Sequence, residues 1–356
     1  MQSAEAEARA SVTPFQWTGH ELRVLDQRLL PVEEQWSGCG DFRCVYEAIR
    51  TMQVRGAPAI GIAAAYGVVL AAQRARGEEN WRERIDLALD ELAGARPTAV
   101  NLFWALRRMR DCLERQDNAT DAASALEKEA QAIHEADRQA NVRMGELARE
   151  IMCEGQSEPM EVLTHCNTGA LATGGYGTAL GAIRSLWYAS VLRHVHVDET
   201  RPWLQGSRLT AWELAREGIP YSLNADSAAA MILSRGGVRW VVVGADRIAA
   251  NGDVANKVGT LSLAVLARYY GVRTMVVAPS STVDEHTPSG DDIAIEERGA
   301  EELRMMRGQP MAPLDAPVFN PVFDVTPASL IDVIVTEAGV VREPDVERMA
   351  AALLFA

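Results

Sequence analysis

Cys166, within the segment 164–173, is a potentially reactive side chain in a position that suggests chemistry. It follows the apolar residues Val162 and Leu163 and precedes a glycine-rich stretch, 174–181, that leads into a helical pattern. Open α/β sheets bind ligands where a strand ends and a helix begins, and a helix N terminus favours thiolate and phosphate alike. A lone cysteine is more commonly an inert, buried side chain, but this position favours a functional thiol. The segment therefore indicates an enzyme whose substrate carries phosphate.

Asp246 is a second candidate, because it follows the apolar run 241–243. Burial at the end of such a strand raises the pKa of a carboxyl group, which suits a proton donor near neutral pH. A helix-capping role, or an ion pair with Arg247, fits the residue equally well. Further on, Asn256 and Lys257 open the next predicted helix, where an amide and an ammonium can meet phosphate or sugar oxygens.

Two segments place an arginine just before a predicted helix. In the first, Arg55 precedes Gly56, Ala57 and Pro58. A guanidinium, free backbone N–H groups and the helix dipole together could bind an anion there, although a plain loop with a helix start explains the residues as well. Arg96 stands in a turn before a later helix, where a solvated arginine is the ordinary alternative.

A further junction between a strand and a helix, 198–210, is rich in polar groups at the carboxyl end of a predicted strand. Some of these groups must form structural ion pairs. Gln205 could hold sugar hydroxyls or phosphate.

The predicted secondary structure that must position these residues changes near residue 160, from mainly helical to alternating strands and helices. Before it, a small hairpin at 15–17 and 22–25, with a further strand at 28–30, precedes five predicted helices near 42–52, 58–75, 81–93, 99–115 and 121–152. After it, apolar strands alternate with helices, as in βαβ units and a doubly wound parallel sheet. These strands are predicted at 160–164, 192–197, 219–223, 239–243, 273–277 and 332–335.

The predicted class is therefore α/β, with a small, mostly helical N-terminal domain that carries a short antiparallel sheet, and a doubly wound C-terminal domain. We expect residues 1–13 to form a disordered tail. We expect the two domains to span 14–130 and 131–356, joined by the long helix at about 121–152.

Composition narrows the class of protein further. The chain has 356 residues, of which 48% are hydrophobic and 24% charged, enough for two domains with substantial cores. A net charge of −14, without a block of basic residues, argues against a nucleic-acid surface. Neither a G-x-G-x-x-G nor a Walker pattern is present, so no dinucleotide or ATP is implied. The histidines lack metal-ligand spacing, and we predict no metal.

The cysteines and the apolar runs indicate the cellular compartment in which the protein is expected. The chain has 5 cysteines and no C-x-x-C pair, so we predict neither a disulfide framework nor a zinc knuckle, and free thiols suit a reducing cytoplasm. The longest apolar run, 57–72, is shorter than the roughly 18–20 residues that a membrane span requires. We predict a buried helix there and no membrane partner. The polar N-terminal dozen residues lack the apolar core of a signal peptide.

Taken together, eight segments in one order resemble the methylthioribose-1-phosphate isomerase family of methionine salvage, over about Arg50 to Val341. One is Arg-Gly-Ala-Pro-Ala-Ile-Gly and another is His-Cys-Asn-Thr-Gly-Ala-Leu-Ala-Thr. The eight segments are 55–61, 94–102, 165–173, 198–206, 244–248, 256–260, 278–284 and 319–327.

The resemblance implies roles for individual residues. Cys166 and Asp246 match the catalytic pair of the family. The substrate-binding positions match Arg55, Gly56, Ala57, Arg96, Gln205, Asn256 and Lys257. The family is similar in fold to the architecture predicted above, with a Rossmann-like C-terminal domain, and commonly forms a homodimer.

The implied reaction converts 5-methylthio-D-ribose 1-phosphate to 5-methylthio-D-ribulose 1-phosphate without cofactor or metal. Because the anomeric oxygen is esterified, the sugar cannot open to a free aldehyde. Asp246 would protonate the ring oxygen. Cys166 would then shuttle the C2 proton through an enolate-like state or stabilise a direct hydride shift, and the residues do not choose between these paths.

Three alternatives belong beside this hypothesis. Ribose-1,5-bisphosphate isomerase has a similar core but needs further cations for a second phosphate. A non-catalytic regulatory subunit like those of translation initiation factor 2B shares the fold but need not retain Cys166 and Asp246. 5-Deoxyribose 1-phosphate is a plausible second substrate.

The chain also departs from the family at Ala294, where a proline is usual, and at Gly299-Ala300. These differences put the conformation of that loop in doubt, but they lie outside the residues matched to the catalytic pair and to substrate binding.

Overall fold

A computed structural model of the protein describes residues 12–96, 99–156, 158–306 and 308–353. The chain divides into two compact units. Unit 1 runs up to Glu146 and includes Thr168–Arg184, whereas unit 2 comprises Leu147–Asn167 and the chain from Ser185 onward. The predicted tail, 1–13, lies outside the described residues except for its last two positions.

Unit 1 begins with a three-stranded antiparallel sheet, which confirms the predicted hairpin. Its strands, in spatial order, are β1 (Phe15–Trp17), β2 (Leu22–Leu25) and β3 (Trp36–Cys39). The strand predicted at 28–30 is wrong, because those residues form turns. The Asp26 carboxylate accepts the backbone N–H of Arg28 at 3.0 Å and the Arg28 guanidinium at 2.7 Å, and a side chain that bonds its own backbone favours a turn over a strand.

Five helices follow, close to the positions that their periodicity predicts. The second is buried on all sides from residue 59 to residue 72, because no position in that run carries a charge. By length and hydropathy it could cross a membrane, but 78% of it is buried inside the protein. This confirms the predicted buried helix. The five are α1 (Phe42–Arg50), α2 (Ala57–Arg74), α3 (Trp81–Ala93), α4 (Val100–Glu114) and α5 (Ala119–Cys153).

The prediction that the cysteines are free thiols is wrong for Cys39 and Cys44. Cys39, at the end of β3, and Cys44, in the first turn of α1, form a disulfide with their Cα atoms 5.2 Å apart. Asp41 caps α1 by accepting the backbone N–H of Cys44 at 2.8 Å, which folds the short connection back on itself. Two cysteines five residues apart are not a recognisable disulfide motif in a sequence. The pairing could not be predicted because it requires the turn that brings the end of β3 and the start of α1 together.

Unit 2 is built on a seven-stranded sheet and a smaller, four-stranded one. Its strands are β4 (Met160–Thr164), β5 (Leu192–Asp198), β6 (Tyr221–Asn224), β7 (Val238–Val243), β8 (Arg247–Ala249), β9 (Val254–Lys257), β10 (Arg273–Val277), β11 (Val283–Asp284), β12 (Met305–Met306), β13 (Gln309–Pro310), β14 (Phe323–Thr326), β15 (Val333–Thr336) and β16 (Gly339–Arg342). Its helices, the first of which begins in unit 1, are α6 (Ala179–Tyr188), α7 (Ala211–Arg216), α8 (Ala229–Ser234), α9 (Thr260–Tyr270), α10 (Glu301–Arg304) and α11 (Val346–Leu353).

The large sheet has the order β16-β15-β10-β7-β4-β5-β6, and all its pairs are parallel except that of β15 with β16. The chain builds outward from β4 through β5 to β6, then returns to place β7 on the other side of β4. The carboxyl ends of β4 and β7 therefore adjoin at the topological switch point, with Thr164 opposite Val242. The predicted α/β class and doubly wound parallel sheet are confirmed.

The small sheet, in the order β11-β8-β9-β14, corrects a local prediction. Asn256 and Lys257 do not open a helix but end β9, and α9 begins only at Thr260. The reason is that β9 pairs on both sides, with β8 and with β14, so its backbone groups are satisfied in extended form.

Candidate active site

Cys166 and Asp246 follow two neighbouring strands of unit 2. Cys166 lies two residues beyond the end of β4, and Asp246 lies three residues beyond the end of β7. The two strands are tied near their ends by the Thr164 hydroxyl, which donates to the Val242 carbonyl at 2.8 Å. The two predicted catalytic residues thus leave the sheet at the crevice where doubly wound folds bind ligands.

The backbone of Cys166 is held in an unusual conformation by two threonines. Its φ is +65°, which costs a residue with a side chain free energy unless its surroundings fix it. The Cys166 N–H donates to the Thr200 hydroxyl at 2.8 Å, and the Thr210 hydroxyl donates to the Cys166 carbonyl at 2.6 Å. All three residues are buried. The thiol is therefore aimed by a rigid, tertiary arrangement rather than by a flexible loop.

Lys257 provides a buried positive charge beside this pair. Its ammonium donates to the Val322 carbonyl at 2.8 Å and lies 4.7 Å from the centre of the Phe323 ring. Burial lowers the pKa of Lys257, while the negative charges of Cys166 and Asp246 partly restore it. The three groups therefore share one electrostatic environment in unit 2.

Gln205 and Asn256 are two further buried amides of unit 2. Gln205 stands just before a π-helical turn, Gly206–Thr210, and its Oε1 has no hydrogen-bond partner among the described residues. A buried, unpaired amide oxygen costs free energy unless a ligand or water satisfies it, so this atom suits a substrate hydroxyl. The Asn256 amide donates to the Thr260 hydroxyl at 3.0 Å.

The predicted anion-binding segment of unit 1 has the expected geometry. Arg55 is only 7% exposed, and its Nε donates to the Gln27 amide oxygen at 3.2 Å. Gly56 precedes α2 with a φ of +96°, and among the described residues no side chain caps the helix. Ala57 is the first helical residue, and the first turn of a helix presents backbone N–H groups that lack partners within the helix. A buried guanidinium beside an uncapped helix N terminus can bind a phosphate.

Arg96 is in unit 1 as well, half-buried in the turn between α3 and α4, as its sequence position predicts. Its carbonyl accepts the N–H of Ala99 at 3.1 Å. Pro97 and Thr98, which complete this motif, lie outside the described residues.

Sequence reasoning missed the residues that hold these groups in place. Gln27 links Arg55 to the Leu171 carbonyl, to which its amide donates at 2.7 Å. Thr200 and Thr210 hold Cys166, and neither stands out by type. The one available signal was that Thr200 and Thr210 fall in the polar segment 198–210, at the end of a predicted strand.

His165, one of the histidines that lack metal-ligand spacing in the sequence, is held by hydrogen bonds at both ring nitrogens. Its Nδ1 lies 3.0 Å from the Asp198 carboxylate, and its Nε2 donates to the Val258 carbonyl at 2.9 Å. Burial by itself lowers the pKa of His165, but the hydrogen bond and charge of Asp198 outweigh it and raise that pKa. Burial also raises the pKa of Asp198, and His165 offsets only part of that shift.

Among the described residues, His165, Asp198 and Asp226 are the one group whose donor atoms are close enough to share a metal ion. Hydrogen bonds already engage all three residues, because His165 bonds Asp198 and the Val258 carbonyl. The two oxygens of Asp226 accept the backbone N–H groups of Thr200 and Arg201, each at 2.7 Å. These hydrogen bonds of Asp226 organise the turn after β5.

Fold and site together define an α/β protein in which a thiol and a carboxylate follow adjacent strands of a doubly wound sheet, with a buried ammonium in the electrostatic field of both. The profile of the Initiation factor 2 subunit family matches residues 53–343, and the chain belongs to that family.

Relatives within the family are similar over nearly their whole length. Methylthioribose-1-phosphate isomerase of Pseudomonas paraeruginosa is 58% identical over 346 residues, which cover 97% of this chain and 96% of that protein. The crystal structure of 5-methylthioribose 1-phosphate isomerase from Pyrococcus horikoshii has a TM-score of 0.91 at 40% identity, over 98% of each chain. Translation initiation factor eIF-2B, subunit delta, from A. fulgidus has a TM-score of 0.85 at 36% identity, over 96% of this chain and 100% of that one. The predicted resemblance is confirmed.

Proposed function

We propose that this protein is an aldose–ketose isomerase of methionine salvage, which converts 5-methylthio-D-ribose 1-phosphate to 5-methylthio-D-ribulose 1-phosphate. The relatives that carry this activity in their names are 58% identical to it over nearly their full length. The observation that carries the proposal is the placement of Cys166 and Asp246 after adjacent strands, with the buried Lys257 in the electrostatic field of both.

Asp246 begins the reaction as the proton donor. The phosphate ester on the anomeric oxygen prevents ordinary ring opening, so the bond between C1 and the ring oxygen must be broken with help from an acid. Protonation of the ring oxygen by Asp246 turns it into a neutral hydroxyl at C4. A cationic centre then develops at C1.

Cys166 acts on the hydrogen that must pass from C2 to C1. As a thiolate it can take the proton from C2 to give an enolate-like state and return it to C1. Alternatively, its charge stabilises a direct shift of hydride from C2 to C1. On either path the C2 hydroxyl must lose its proton to form the ketone, and the Asp246 carboxylate takes this proton, which restores the acid. The positive charge of Lys257 stabilises negative charge in the same environment, which favours the thiolate form of Cys166.

We propose that the remaining residues bind the substrate. Arg55 and the N terminus of α2, through Gly56 and Ala57, bind the phosphate, with help from Arg96 or Lys257. Gln205 and Asn256 bind sugar hydroxyls, and the orphan Oε1 of Gln205 is the acceptor best placed to do so. The proposed steps use only groups of the protein and of the substrate. We further propose that the protein works as a homodimer in the cytoplasm.

The test is turnover of 5-methylthioribose 1-phosphate by the purified protein, followed by NMR, with Cys166→Ala and Asp246→Asn beside it. We expect ketose from the wild type alone. Cys112→Ala is the matched control, because Cys112 is also a buried free cysteine but lies in unit 1 on α4. In D₂O, deuterium at C1 of the product supports the proton shuttle, and retained protium supports the hydride shift.

Other outcomes would redirect the assignment. Turnover of ribose 1,5-bisphosphate but not of the methylthio sugar would contradict the proposed substrate. Well-folded protein that turns over neither sugar would point to the alternative of a non-catalytic regulatory subunit. 5-Deoxyribose 1-phosphate belongs in the same assay, since its 5-substituent is small and apolar.

A further inference from the structure

His165 directly precedes Cys166, yet no step of the proposed reaction uses it. It is 1% exposed, and both ring nitrogens make hydrogen bonds, to Asp198 and to the Val258 carbonyl. Because a carbonyl only accepts, Nε2 must carry a proton. The contact between Nδ1 and the Asp198 carboxylate then contains one more proton. Whichever partner holds that proton, the pair has no net charge, so it can be buried without a counterion.

The bonds of His165 join three chain segments that lead to functional side chains. Its own backbone continues β4 into Cys166. Asp198 ends β5, and Val258 directly follows Lys257 at the end of β9. One imidazole therefore fixes the spacing between the strand that delivers the thiol and the strand that delivers the ammonium.

Asp198 is also linked to Cys166 through the backbone. The Thr200 hydroxyl donates to the Asp198 carbonyl at 3.0 Å and accepts the N–H of Cys166 at 2.8 Å. Asp198 and Thr200 are both at most 1% exposed. The side chain of Asp198 thus holds His165, while its carbonyl, through Thr200, holds the left-handed backbone of Cys166.

We propose that His165 and Asp198 form a positioning pair, which keeps Cys166 and Lys257 in reactive geometry without touching the substrate. The inference rests on the proposed function for its effect on turnover, but its effect on Cys166 itself can be measured separately. A misplacement of about 1 Å in a reacting group can cost about 100-fold in rate. Loss of the pair should therefore appear in kcat.

Three variants test the pair, and a fourth controls for strand packing. His165→Ala and Asp198→Ala remove the bond between the side chains. Asp198→Asn keeps the volume and can donate its amide N–H to Nδ1, so that His165 remains neutral and still donates to Val258. His196→Ala is the control, because His196 and Glu161 form a similar bond of 3.0 Å between β5 and β4, nearer the start of β4 and away from Cys166.

Two readouts separate positioning from loss of stability. The first is kcat and KM together with the thermal midpoint. The second is the rate at which iodoacetamide alkylates Cys166, measured by peptide mass spectrometry relative to Cys112 and Cys153, the other free cysteines among the described residues. Alkylation needs no sugar substrate, so it reports on the thiol even if the proposed reaction is wrong.

We expect His165→Ala and Asp198→Ala to lower kcat by about 100-fold, with a smaller change in KM, and to change the relative alkylation rate of Cys166. We expect Asp198→Asn to restore both toward the wild type and His196→Ala to leave both unchanged. Wild-type kcat and alkylation in His165→Ala and Asp198→Ala would overturn the proposal. So would an Asp198→Asn variant that is as impaired as Asp198→Ala while folded.

A spectrum of the wild-type protein covers the case in which the variants fail to fold. In ¹⁵N-labelled protein, the hydrogen bonds predict a protonated Nε2 on His165 and a far-downfield proton shared between Nδ1 and Asp198. Failure to observe that shared proton, in protein whose other buried histidine signals are resolved, would contradict the pair. A wild type that turns over no sugar contradicts the proposed function and leaves this test intact.

Discussion

The carboxylate of Asp324 accepts the backbone N–H of Gly259 at 2.7 Å, and that of Leu261 at 3.1 Å. Asp324 lies on β14, and these N–H groups belong to the start of α9. The helix N terminus that the sequence suggested for a phosphate is therefore filled by a carboxylate of the protein itself. A phosphate near Lys257 would have to bind without it.

This cap makes a prediction about stability. Replacing Asp324 by alanine removes the acceptor for two N–H groups and should lower the free energy of unfolding by about 1 kcal/mol. Asparagine keeps one oxygen acceptor and should cost less. Urea denaturation of both variants measures the difference. Equal stability of the alanine variant and the wild type would show that solvent replaces the cap at no cost.

Gly56, just before α2, allows a prediction about stability and phosphate binding. A Cβ at Gly56 would lie 2.6 Å from the Cα, Cβ and carbonyl oxygen of Ala172, and the φ of +96° is strained for any other residue. Gly56→Ala should therefore lower the free energy of unfolding and weaken phosphate binding, because Ala172 or the first turn of α2 must move. Urea denaturation and titration with inorganic phosphate measure the two effects.

Gly77→Ala is the matched control for this substitution. Gly77 has a similar φ of +84°, but a Cβ there would meet nothing within 4 Å. Gly77→Ala should therefore lower the free energy of unfolding only by the conformational penalty, about 1–2 kcal/mol. It should leave phosphate affinity unchanged. Equal losses of stability and affinity in the two variants would contradict the close approach at Gly56.

Much of the architecture could be predicted from sequence, because apolar periodicity reports burial directly. The strands 160–164 and 239–243 agree with β4 and β7 to within a residue, and the helix predicted at 81–93 is α3 itself. Once two βαβ units are predicted, residues that follow adjacent strand ends must meet at one edge of the sheet. Cys166 was singled out on this basis.

What could not be predicted depends on tertiary contacts. The two threonines that fix the backbone of Cys166 come from 34 and 44 residues further along the chain. Asn256 and Lys257 were expected to open a helix, because no local pattern shows that β8 and β14 pair with both edges of β9. The turn at Asp26 replaced a predicted strand through a side-chain hydrogen bond that competes with pairing.

The disulfide between Cys39 and Cys44 predicts a thiol count. Under oxidising conditions the denatured protein should expose three reactive thiols, those of Cys112, Cys153 and Cys166, and reduction should expose all 5 cysteines of the chain. Because the closed loop is short, reduction should cost only about 2 kcal/mol of unfolding free energy on the chain-entropy view. Turnover should persist, since neither cysteine belongs to the proposed site. Five reactive thiols without reductant would contradict the pairing.

The buried pair of His165 and Asp198 predicts how stability depends on pH. The pKa of His165 is raised in the folded protein, mainly because Asp198 outweighs the effect of burial. A histidine whose folded pKa is raised contributes stability in full below its unfolded pKa, about 6.5, and loses it as the pH rises through the folded pKa. The raised pKa of Asp198 acts in the same direction, because the folded pair again binds more protons than the unfolded chain.

The free energy of unfolding that this pair contributes should therefore fall as the pH rises above about 6.5, by up to about 1.4 kcal/mol per pH unit for one proton. Other groups titrate in this window, and the pKa of His134 and that of His194 are both lowered by burial. The informative quantity is thus the difference between the wild type and Asp198→Asn, in which burial lowers the pKa of His165 with less opposition. Urea denaturation from pH 6 to pH 9 measures it. Parallel curves for the two proteins would mean that the pair binds no extra proton on folding.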